Sequence, residues 1–231
     1  MEAIILAGGK AERLGDAAAG KPKPLVRVAG RPLAAYQVSW LARAGVGRVI
    51  VACARGYERQ FESELSGLGA EVLAVGEPEP LGRGGGIRFA ASLRTESGPV
   101  YALNGDELVD VNLHGLLGRH RDSAAAATLT VVRPRSRFGV VDLDENDIVT
   151  GFREAGEEPF WVSCGVYVLG EEALSRFPEK GDHETSTFPD LAREGLLNAF
   201  RHDGRWFTVN TPKELRVATE YVAEHPEWLA A

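Results

Sequence analysis

The chain has 231 residues, of which 44% are hydrophobic and 26% are charged, and its formal net charge at pH 7 is −7. This length suits one sizeable α/β domain, and the acidic balance disfavours a general nucleic-acid binder, which usually presents a basic face. No apolar run approaches the roughly 20 residues that span a bilayer, and the amino-terminal segment does not resemble a signal peptide. Cys53 and Cys164 match no zinc or disulfide spacing, which is typical of a protein in a reducing cytoplasm. Taken together, these observations lead us to expect a soluble, cytoplasmic protein without membrane or nucleic-acid partners.

In the first half of the chain, short apolar segments alternate with stretches of helical periodicity. Strands are predicted at 2–6, 48–52, 71–75 and 99–103, and helices at 32–44, 56–65 and 85–93. This alternation predicts parallel strands joined by right-handed crossovers, the Rossmann-like doubly wound α/β class with a three-layer αβα arrangement. Because ligands of that class bind at the carboxyl ends of the strands, we expect the loops after Leu6 and Leu103 to form the site.

The second half has a different pattern, and for the whole chain we predict a mixed sheet, with parallel and antiparallel strands. Strands are predicted at 127–132, 138–143, 148–152, 161–169, 197–202 and 206–209, and helices at 171–177, 189–194 and 212–223. The polar segment 144–147 is predicted to be a hairpin turn, and Thr211 is predicted to cap the last helix, with Pro212 at its first position. We therefore expect one domain, 1–231, with a nucleotide-side half of about 1–110 and an acceptor-side half of about 111–231.

Two glycines and two cations follow the first predicted strand. Gly8 and Gly9 have no side chains to keep a phosphate away from their backbone N–H groups. Arg13 offers a forked guanidinium suited to phosphate oxygens, and Lys23, which lies between two prolines, offers a compact charge. A glycine turn followed by solvated charges is the alternative, but the ordered occurrence of all these residues favours a phosphate site.

Asp106 is the candidate metal ligand. It follows the predicted strand 99–103 and the small residue Gly105, where a carboxylate can hold Mg²⁺ against phosphate oxygens. The alternative is an aspartate that caps a helix. Segment 15–21 has P-loop spacing, but Pro22 replaces the Ser or Thr that would bind Mg²⁺ and no strand directly precedes the segment, so we reject a P-loop.

Together these segments resemble the signature of the sugar-1-phosphate nucleotidyltransferase family, LAGGxGTRLxPLTxxxPKPLxxVxGxPL. The match is close at 6–9, 13–14, 22–25 and Gly30, whereas 10–12 differ and the PLT element is missing. Further blocks that resemble family segments follow in the family's order at 79–87 (EPLGRGGGI), 103–110 (LNGDELVD), 138–141 (FGVV), 151–154 (GFRE), 163–167 (SCGVY) and 206–212 (WFTVNTP). They cover nearly the whole chain and are most like the mannose- or heptose-1-phosphate guanylyltransferases.

The resemblance implies a fold of the nucleotide-diphospho-sugar transferase type, with Mg²⁺ as cofactor. It implies an enzyme that joins a nucleoside triphosphate to a sugar 1-phosphate and releases pyrophosphate and an NDP-sugar. The implied catalytic residues are Arg13 for the leaving pyrophosphate, Lys23 for phosphate charge near the α-position, and Asp106 for the metal. The implied nucleotide-binding residues are Leu6, Ala7, Gly8, Gly9, Lys10, Gly82, Gly84, Gly85, Asn104 and Gly105. The implied sugar-phosphate-binding residues are Gly139, Arg153, Glu154, Cys164 and Gly165.

The second metal ligand of the family is replaced in this chain. Thr208 stands where the family has an aspartate, and a neutral hydroxyl is a poor substitute for a carboxylate on a hard cation. Asn210 lies two residues on, so in an extended strand it points to the same side, and its carbonyl oxygen can ligate Mg²⁺. We therefore expect Asp106 and Asn210 to hold the metal together. The alternative is that Asn210 caps the final helix.

Three functions stay open at this stage. The favoured one uses GTP with mannose 1-phosphate or heptose 1-phosphate, and the second is a uridylyltransferase acting on another sugar 1-phosphate. The third is a catalytically weak, nucleotide-sugar-binding regulatory homologue. It is suggested by Thr208 and by Ala155, which stands where the family has a lysine that grips the sugar phosphate. Arg153 and Arg137 are candidate substitutes for that lysine. A homodimer is the assembly we consider.

Overall fold

The computed structural model describes residues 1–9, 11–18, 20–136, 138–154 and 156–228. Within these ranges the strands are β1 (Glu2–Ala7), β2 (Arg27–Val28), β3 (Arg31–Pro32), β4 (Arg48–Ala54), β5 (Glu71–Glu77), β6 (Val100–Asn104), β7 (Glu107–Val109), β8 (Ala127–Val132), β9 (Val140–Leu143), β10 (Val149–Arg153), β11 (Val162–Leu169), β12 (Leu197–Arg201) and β13 (Trp206–Thr208). The α-helices are α1 (Leu33–Arg43), α2 (Glu58–Glu64), α3 (Gly82–Ala91), α4 (Leu113–Arg121), α5 (Glu171–Arg176), α6 (Thr187–Arg193) and α7 (Pro212–Glu224). Every strand and helix predicted from the sequence is present, with ends shifted by no more than three residues.

The central sheet has seven strands in the order β12-β8-β11-β6-β1-β4-β5. The pairs β6/β1, β1/β4, β4/β5 and β12/β8 are parallel, whereas β11 is antiparallel to both of its neighbours. The predicted mixed, doubly wound sheet is therefore confirmed. The carboxyl ends of β6, β1, β4 and β5 lie at one edge of the sheet, which is the edge where ligands of this class bind.

Helices cover both faces of this sheet. One face packs on apolar residues of α1, α2 and α4, and the other packs on those of α3, α5 and α6. Strand β1 supplies Ala3 and Ile5 to the first core and Ile4 to the second, which is the alternation expected of a buried strand. The predicted three-layer αβα arrangement is confirmed. Within the described ranges, every helix is too short or too polar to cross a lipid bilayer.

Helix α4 is absent from the sequence-based prediction. Asn112 caps it by accepting a hydrogen bond from the backbone N–H of Gly115 at 3.0 Å, and the helix buries Leu113, Leu116 and Leu117 against the sheet. Because Gly115 and Gly118 both lie inside this nine-residue helix and glycine is a poor helix former, the local preference is weak. The burial of its leucines therefore determines the helix.

Two local predictions in the second half are confirmed. Strands β9 and β10 form an antiparallel hairpin, and Asp147 in its turn has a φ of 63°, a left-handed conformation that Asp adopts at low cost. At the start of α7, the Thr211 side chain accepts a hydrogen bond from the backbone N–H of Glu214. The Glu214 side chain in turn accepts from the backbone N–H of Thr211, which completes a capping box.

Candidate active site

A cavity of about 400 Å³ lies at the carboxyl ends of β1, β5 and β6. It is lined by Leu6, Gly8, Gly9, Lys23, Pro24, Glu77, Pro80, Gly82, Arg83, Asn104, Gly105, Asp106 and Glu107. The loops after Leu6 and Leu103 therefore meet here, as the strand order requires. A volume of this size is in the range of small-molecule sites.

Three polar side chains converge on one point of this cavity. The Lys23 Nζ donates a hydrogen bond to Asp106 Oδ2 at 2.8 Å and to Asn210 Oδ1 at 2.6 Å. The exposed guanidinium of Arg13 also donates to Asn210 Oδ1, at 3.1 Å. The structure thus brings Arg13, Lys23, Asp106 and Asn210 together, although they come from four separate segments of the chain. The alternative that Asn210 caps α7 is wrong, because Thr211 is the cap.

The oxygens at this point fit a hard divalent cation. The Asp106 carboxylate and the Asn210 amide both present an oxygen to Lys23 Nζ, so these two oxygens lie where they can bind the same cation. Among the described residues, no group of three or more His, Cys, Asp or Glu side chains is placed to hold a metal. A Mg²⁺ ion here would therefore take its other ligands from phosphate and water oxygens, which is its usual manner of binding.

Glu107 is a buried carboxyl group next to Asp106. Only 8% of Glu107 is exposed, and its Oε2 accepts a hydrogen bond from Trp206 Nε1 at 2.7 Å. Burial, reinforced by the charge of Asp106, raises the pKa of Glu107 to about 8, although the Trp206 bond and Lys23 oppose the change. The raised pKa means that protonated Glu107 is present near neutral pH, which lowers the negative charge next to Asp106.

A second buried carboxyl group, Glu77, ends β5 and lines the cavity. Its Oε2 accepts a hydrogen bond from the backbone N–H of Leu81 at 3.0 Å. A Cβ atom built on Gly8 or Gly86 would lie 3.2 or 2.8 Å from Oε1, so these two glycines make room for the carboxyl group. Burial raises the pKa of Glu77, although the bond from Leu81 opposes the change. A ligand that donates hydrogen bonds would stabilise the charged form.

Glycine is also required at position 105. A Cβ atom there would lie 2.3 Å from the carbonyl oxygen of Leu6 and 2.8 Å from Cγ of Pro24. The backbone N–H of Gly105 donates to that same carbonyl oxygen at 2.9 Å. The absence of a side chain therefore lets the turn that carries Asp106 lie directly against β1.

The glycines of α3 have different positions from those expected. Gly82, with a φ of 78°, lines the cavity. The backbone N–H groups of Gly84 and Gly85 instead donate to the carbonyl oxygen of Gly181, at 2.9 and 3.3 Å. A Cβ atom on Gly85 would lie 2.5 Å from the carbonyl oxygen of Glu179. The expected nucleotide contact of Gly84 and Gly85 is therefore replaced by close packing against the 178–183 loop.

The acceptor-side residues are only partly brought to the cavity. Gly165, with a φ of 72°, lies against Asn104, whose Nδ2 would be 2.6 Å from a Cβ atom at that position. Cys164 is completely buried in the apolar core, and burial raises the pKa of its thiol to about 12. The assignment of Cys164 to the sugar phosphate is corrected, because the residue is completely buried among core residues and exposes no surface to a ligand. The Ala7 side chain is buried in the same core.

The β9–β10 hairpin holds the other predicted acceptor residues. A Cβ atom on Gly139 would lie 2.5 Å from the Phe152 ring, so Gly139 packs inside the hairpin. Arg153 forms an ion pair with Asp142 of the same hairpin, and Glu154 is exposed. None of these residues is part of the described lining of the cavity. The predictions made for Lys10, Arg137 and Ala155 lie outside the described residues.

Asp110, part of the segment that follows Asp106, holds a neighbouring loop. Its Oδ1 lies 2.9 Å from Nε2 of His202 and accepts from the backbone N–H of Arg205 at 2.7 Å. Burial opposes charge on both partners, but the hydrogen bonds of this cluster leave the pKa of Asp110 below its ordinary value and that of His202 above it. Asp110 therefore anchors the 202–205 loop outside the cavity.

Glu77, Glu107 and Arg83 line the cavity but were not assigned roles from the sequence. Glu77 and Arg83 flank the EPLG segment, and Glu77 ends a predicted strand, so the rule that ligands bind at strand ends could have indicated it. Glu107 follows Asp106 directly, and no local pattern distinguishes it from a surface glutamate. Its burial depends on strand β13, which pairs with β7 from 99 residues away.

The family model described as Nucleotidyl transferase matches residues 2–225. Because this match covers nearly the whole chain, the protein belongs to the nucleotidyl transferase family. The family expected from the sequence blocks is thereby confirmed.

Two curated relatives illustrate the match within this family. The chain is 35% identical over 228 residues to a mannose-1-phosphate guanylyltransferase of Mycobacterium tuberculosis, covering 93% of this chain and 62% of that protein. It is 31% identical over 246 residues to the mannose-1-phosphate guanyltransferase beta-A of Xenopus laevis, covering 100% of this chain and 68% of that protein. The chain therefore spans less than two thirds of the length of the M. tuberculosis relative.

Solved structures show the same fold. HddC from Yersinia pseudotuberculosis, complexed with GMP-PN, superposes with a TM-score of 0.73 at 23% identity, covering 95% of this chain and 98% of that one. The inositol-1-phosphate CTP transferase of T. maritima superposes with a TM-score of 0.74 at 23% identity, covering 98% and 96%. The expected nucleotide-diphospho-sugar transferase fold is confirmed.

Proposed function

We propose that this protein transfers a nucleoside monophosphate from GTP to a sugar 1-phosphate, with mannose 1-phosphate as the leading acceptor. An oxygen of the sugar phosphate attacks the α-phosphorus of GTP in line, the bond from that phosphorus to the bridging oxygen breaks, and pyrophosphate leaves. The observation that carries this proposal is the convergence of Lys23, Asp106 and Asn210 at a cavity bordered by Gly8 and Gly9.

Transfer to phosphorus depends on positioning and on charge stabilisation, and the cluster offers both. We assign the Lys23 ammonium to the oxygens of the α-phosphate and the forked guanidinium of Arg13 to the departing pyrophosphate. In this scheme Lys23 exchanges its bonds with Asp106 and Asn210 for bonds with the substrate. Bound by Asp106 and Asn210, Mg²⁺ would supply further positive charge to the phosphate oxygens.

Glu77 supports a guanine base over a uracil base. Guanine offers two adjacent donors, N1–H and the N2 amino group, which match the two oxygens of an ionised carboxylate. Uracil offers one N–H between two carbonyl oxygens, and these oxygens would face the carboxylate without a donor. Because Glu77 is only 8% exposed, such a mismatch would leave buried acceptors unpaired, which is unfavourable. This supports GTP over the uridylyltransferase alternative.

The acceptor is proposed from the relatives and from the position of the acceptor-side residues. The curated relatives at 31–35% identity are named as mannose-1-phosphate guanylyltransferases. We assign Gly165, which packs against the nucleotide-side residue Asn104, to the sugar, together with Arg153 and Glu154 of the hairpin. Heptose 1-phosphate is the second acceptor to be tested.

Pyrophosphate release tests the proposal. The purified protein is incubated with Mg²⁺ and each pair drawn from GTP, UTP, CTP, ATP and dTTP with mannose 1-phosphate, heptose 1-phosphate or glucose 1-phosphate. We expect the highest kcat/KM with GTP and mannose 1-phosphate, and a loss of at least tenfold with UTP. The Lys23→Met variant is the inactive control. A protein that binds GTP and GDP-mannose but releases no pyrophosphate from any pair would instead be a regulatory homologue, which the threonine at position 208 favours.

A further inference from the structure

One side chain of α1, Gln37, supports the turn that carries Asp106. Its Nε2 donates hydrogen bonds to the carbonyl oxygen of Asn104 at 2.8 Å and to that of Glu107 at 2.9 Å. These carbonyls stand on either side of Gly105 and Asp106, so a single amide joins both ends of the turn. Gln37 is only 3% exposed, which shields both bonds from water.

The orientation of this amide is determined by its partners. An amide nitrogen has two N–H donors, and both are used here on carbonyl oxygens. The reverse orientation would place Oε1 against the same two oxygens, which repel it. In the observed orientation, Oε1 of Gln37 is buried and has no hydrogen-bond partner among the described residues. A buried acceptor without a partner is unfavourable, but this orientation satisfies two carbonyl oxygens and avoids placing Oε1 against them.

Helix α1 also holds the turn that carries Lys23. The backbone N–H of Leu33, the first residue of α1, donates to the carbonyl oxygen of Val26 at 3.0 Å, directly after the Lys23–Leu25 turn. Gln37 lies four residues further along the same helix, which places it about one turn away. The Lys23 turn and the Asp106 turn are thus fastened to one rigid element. Both turns that form the 2.8 Å contact between Lys23 and Asp106 are therefore attached to α1.

Two further backbone bonds hold the Asp106 turn from other directions. The N–H of Gly105 donates to the carbonyl oxygen of Leu6 in β1 at 2.9 Å, and the N–H of Val209 donates to the carbonyl oxygen of Asp106 at 3.1 Å. These bonds fix the middle of the turn. Gln37 fixes its two ends, so loss of Gln37 would let the turn change its orientation while the sheet stays intact.

We propose that Gln37 is a positioning residue that sets the Asp106 carboxylate against Lys23 and Asn210 and thereby governs metal affinity. Gln37 does not line the cavity, so it acts through the turn and not on the substrate. The inference rests on the proposed function to the extent that the metal is taken to serve phosphate transfer. The geometry itself does not depend on which base or sugar is used.

The test compares Gln37→Met, which keeps the length of the side chain and removes both donors, with a matched control, Tyr36→Phe. Tyr36 is the preceding residue on α1, is buried, and donates its hydroxyl to the carbonyl oxygen of Val28 at 2.8 Å. Each variant loses buried bonds to backbone carbonyls, but only Gln37→Met affects the Asp106 turn. Where Gln37→Met does not fold, Gln37→Leu replaces it, since leucine also removes both donors, adds no charge and is expected to give the same weakening of metal binding.

Two readouts are measured. The first is the Mg²⁺ concentration for half-maximal pyrophosphate release, together with KM for GTP at saturating Mg²⁺. The second is the affinity for Mn²⁺ in the presence of GMP, measured from the paramagnetic resonance of free Mn²⁺. We expect Gln37→Met to weaken metal binding about tenfold in both, as when two ordinary hydrogen bonds no longer hold a turn, with KM for GTP changed less than twofold. Tyr36→Phe should match the wild type in both.

The outcomes separate this inference from the proposed function. If the wild type releases no pyrophosphate, the proposed function fails, and the Mn²⁺ titration alone judges Gln37. If Gln37→Met and Tyr36→Phe show equal metal affinity, or if the wild type binds no Mn²⁺, the positioning role of Gln37 is wrong. A loss of turnover in Gln37→Met without a change in metal affinity would also contradict it.

Discussion

The Lys23 ammonium lies 2.8 Å from the carboxylate of Asp106, although the two residues are 83 positions apart in the sequence. The side chain of Lys23 is 12% exposed and that of Asp106 is 28% exposed, so the pair is partly screened from water. The same ammonium also reaches Asn210. The ammonium is therefore paired with one negative charge and with one neutral acceptor.

Asp106→Ala should abolish turnover while the protein stays folded. The substitution removes the carboxylate proposed to hold Mg²⁺, and losing such charge stabilisation should lower kcat by about 10²-fold or more. The measurement is pyrophosphate release with GTP and mannose 1-phosphate, alongside a thermal melt. Asp122→Ala, an exposed aspartate at the end of α4, is the control and should keep wild-type activity. Retention of more than about a tenth of the activity by Asp106→Ala would contradict its role.

Asn210→Ala should raise the Mg²⁺ concentration needed for the half-maximal rate, and Thr208→Asp should lower it. The first change removes an oxygen ligand, whereas the second adds a carboxylate where the chain has a hydroxyl. Thr211→Ala is the matched control. It removes the helix cap and should lower the free energy of unfolding by about 1 kcal/mol without moving the Mg²⁺ titration. If Asn210→Ala behaves like Thr211→Ala, the amide is not a metal ligand.

Arg13→Lys should not restore the function of Arg13. The guanidinium is planar and offers two parallel donors to a phosphate, whereas an ammonium offers a point charge. We expect kcat/KM to fall by about tenfold or more in Arg13→Lys, and slightly further in Arg13→Ala. Wild-type kinetics in Arg13→Lys would show that a forked contact with pyrophosphate is not its role.

Glu77→Gln should weaken the preference for GTP over UTP. The amide still accepts the hydrogen bond from the backbone of Leu81, but it offers one acceptor and one donor where the carboxylate offers two acceptors. We expect the ratio of kcat/KM for GTP and UTP to fall at least tenfold. Glu79→Gln lies two residues away, where Glu79 is exposed and paired with Lys180, and serves as the control. An unchanged ratio in Glu77→Gln would remove the argument for guanine.

The Asp110–His202 pair should make stability depend on pH. The pKa of His202 is raised above 6.5 in the folded state, so its contribution is fully present below pH 6.5 and is lost as the pH rises through the raised value. The lowered pKa of Asp110 has the opposite effect at acid pH, where protonation removes its contribution. In urea denaturation, the free energy of unfolding should be higher for the wild type than for His202→Gln. This difference should be larger at pH 6 than at pH 9. An equal difference at both values would exclude a charged His202.

Much of the fold follows from sequence periodicity, because each main-sheet strand is a short apolar segment and most helices have an apolar stripe. Helix α4 is not predicted from the sequence because its glycines weaken the local preference for a helix. The short strand β7 is not predicted because three residues give no periodicity, and it exists through its pairing with β13. In both cases tertiary packing, which no local pattern reports, decides the structure.

The phosphate side of the candidate site was predictable because its residues are sequential and chemically distinctive. Gln37 was not, since it occupies a buried helical face between Tyr36 and Val38, and its partners are backbone atoms about 70 residues away. The expected sugar-phosphate contact of Cys164 rests on its place in the family-like segment 163–167, whereas the residue is completely buried in the core. Sequence neighbours of a site residue therefore need not share its orientation.

The carbonyl oxygen of Gly181, which accepts hydrogen bonds from the first turn of α3, has a consequence for the shape of the cavity. It occupies two backbone N–H groups at the positive end of that helix, a place where many enzymes seat an anion. The loop 178–183 and the first turn of α3 are thus joined by hydrogen bonds and close packing. A side chain gained at position 84 or 85, or an insertion in the loop, would displace the wall of the cavity next to Gly82. A substitution in this loop is therefore expected to change the shape of the cavity without replacing a residue that lines it.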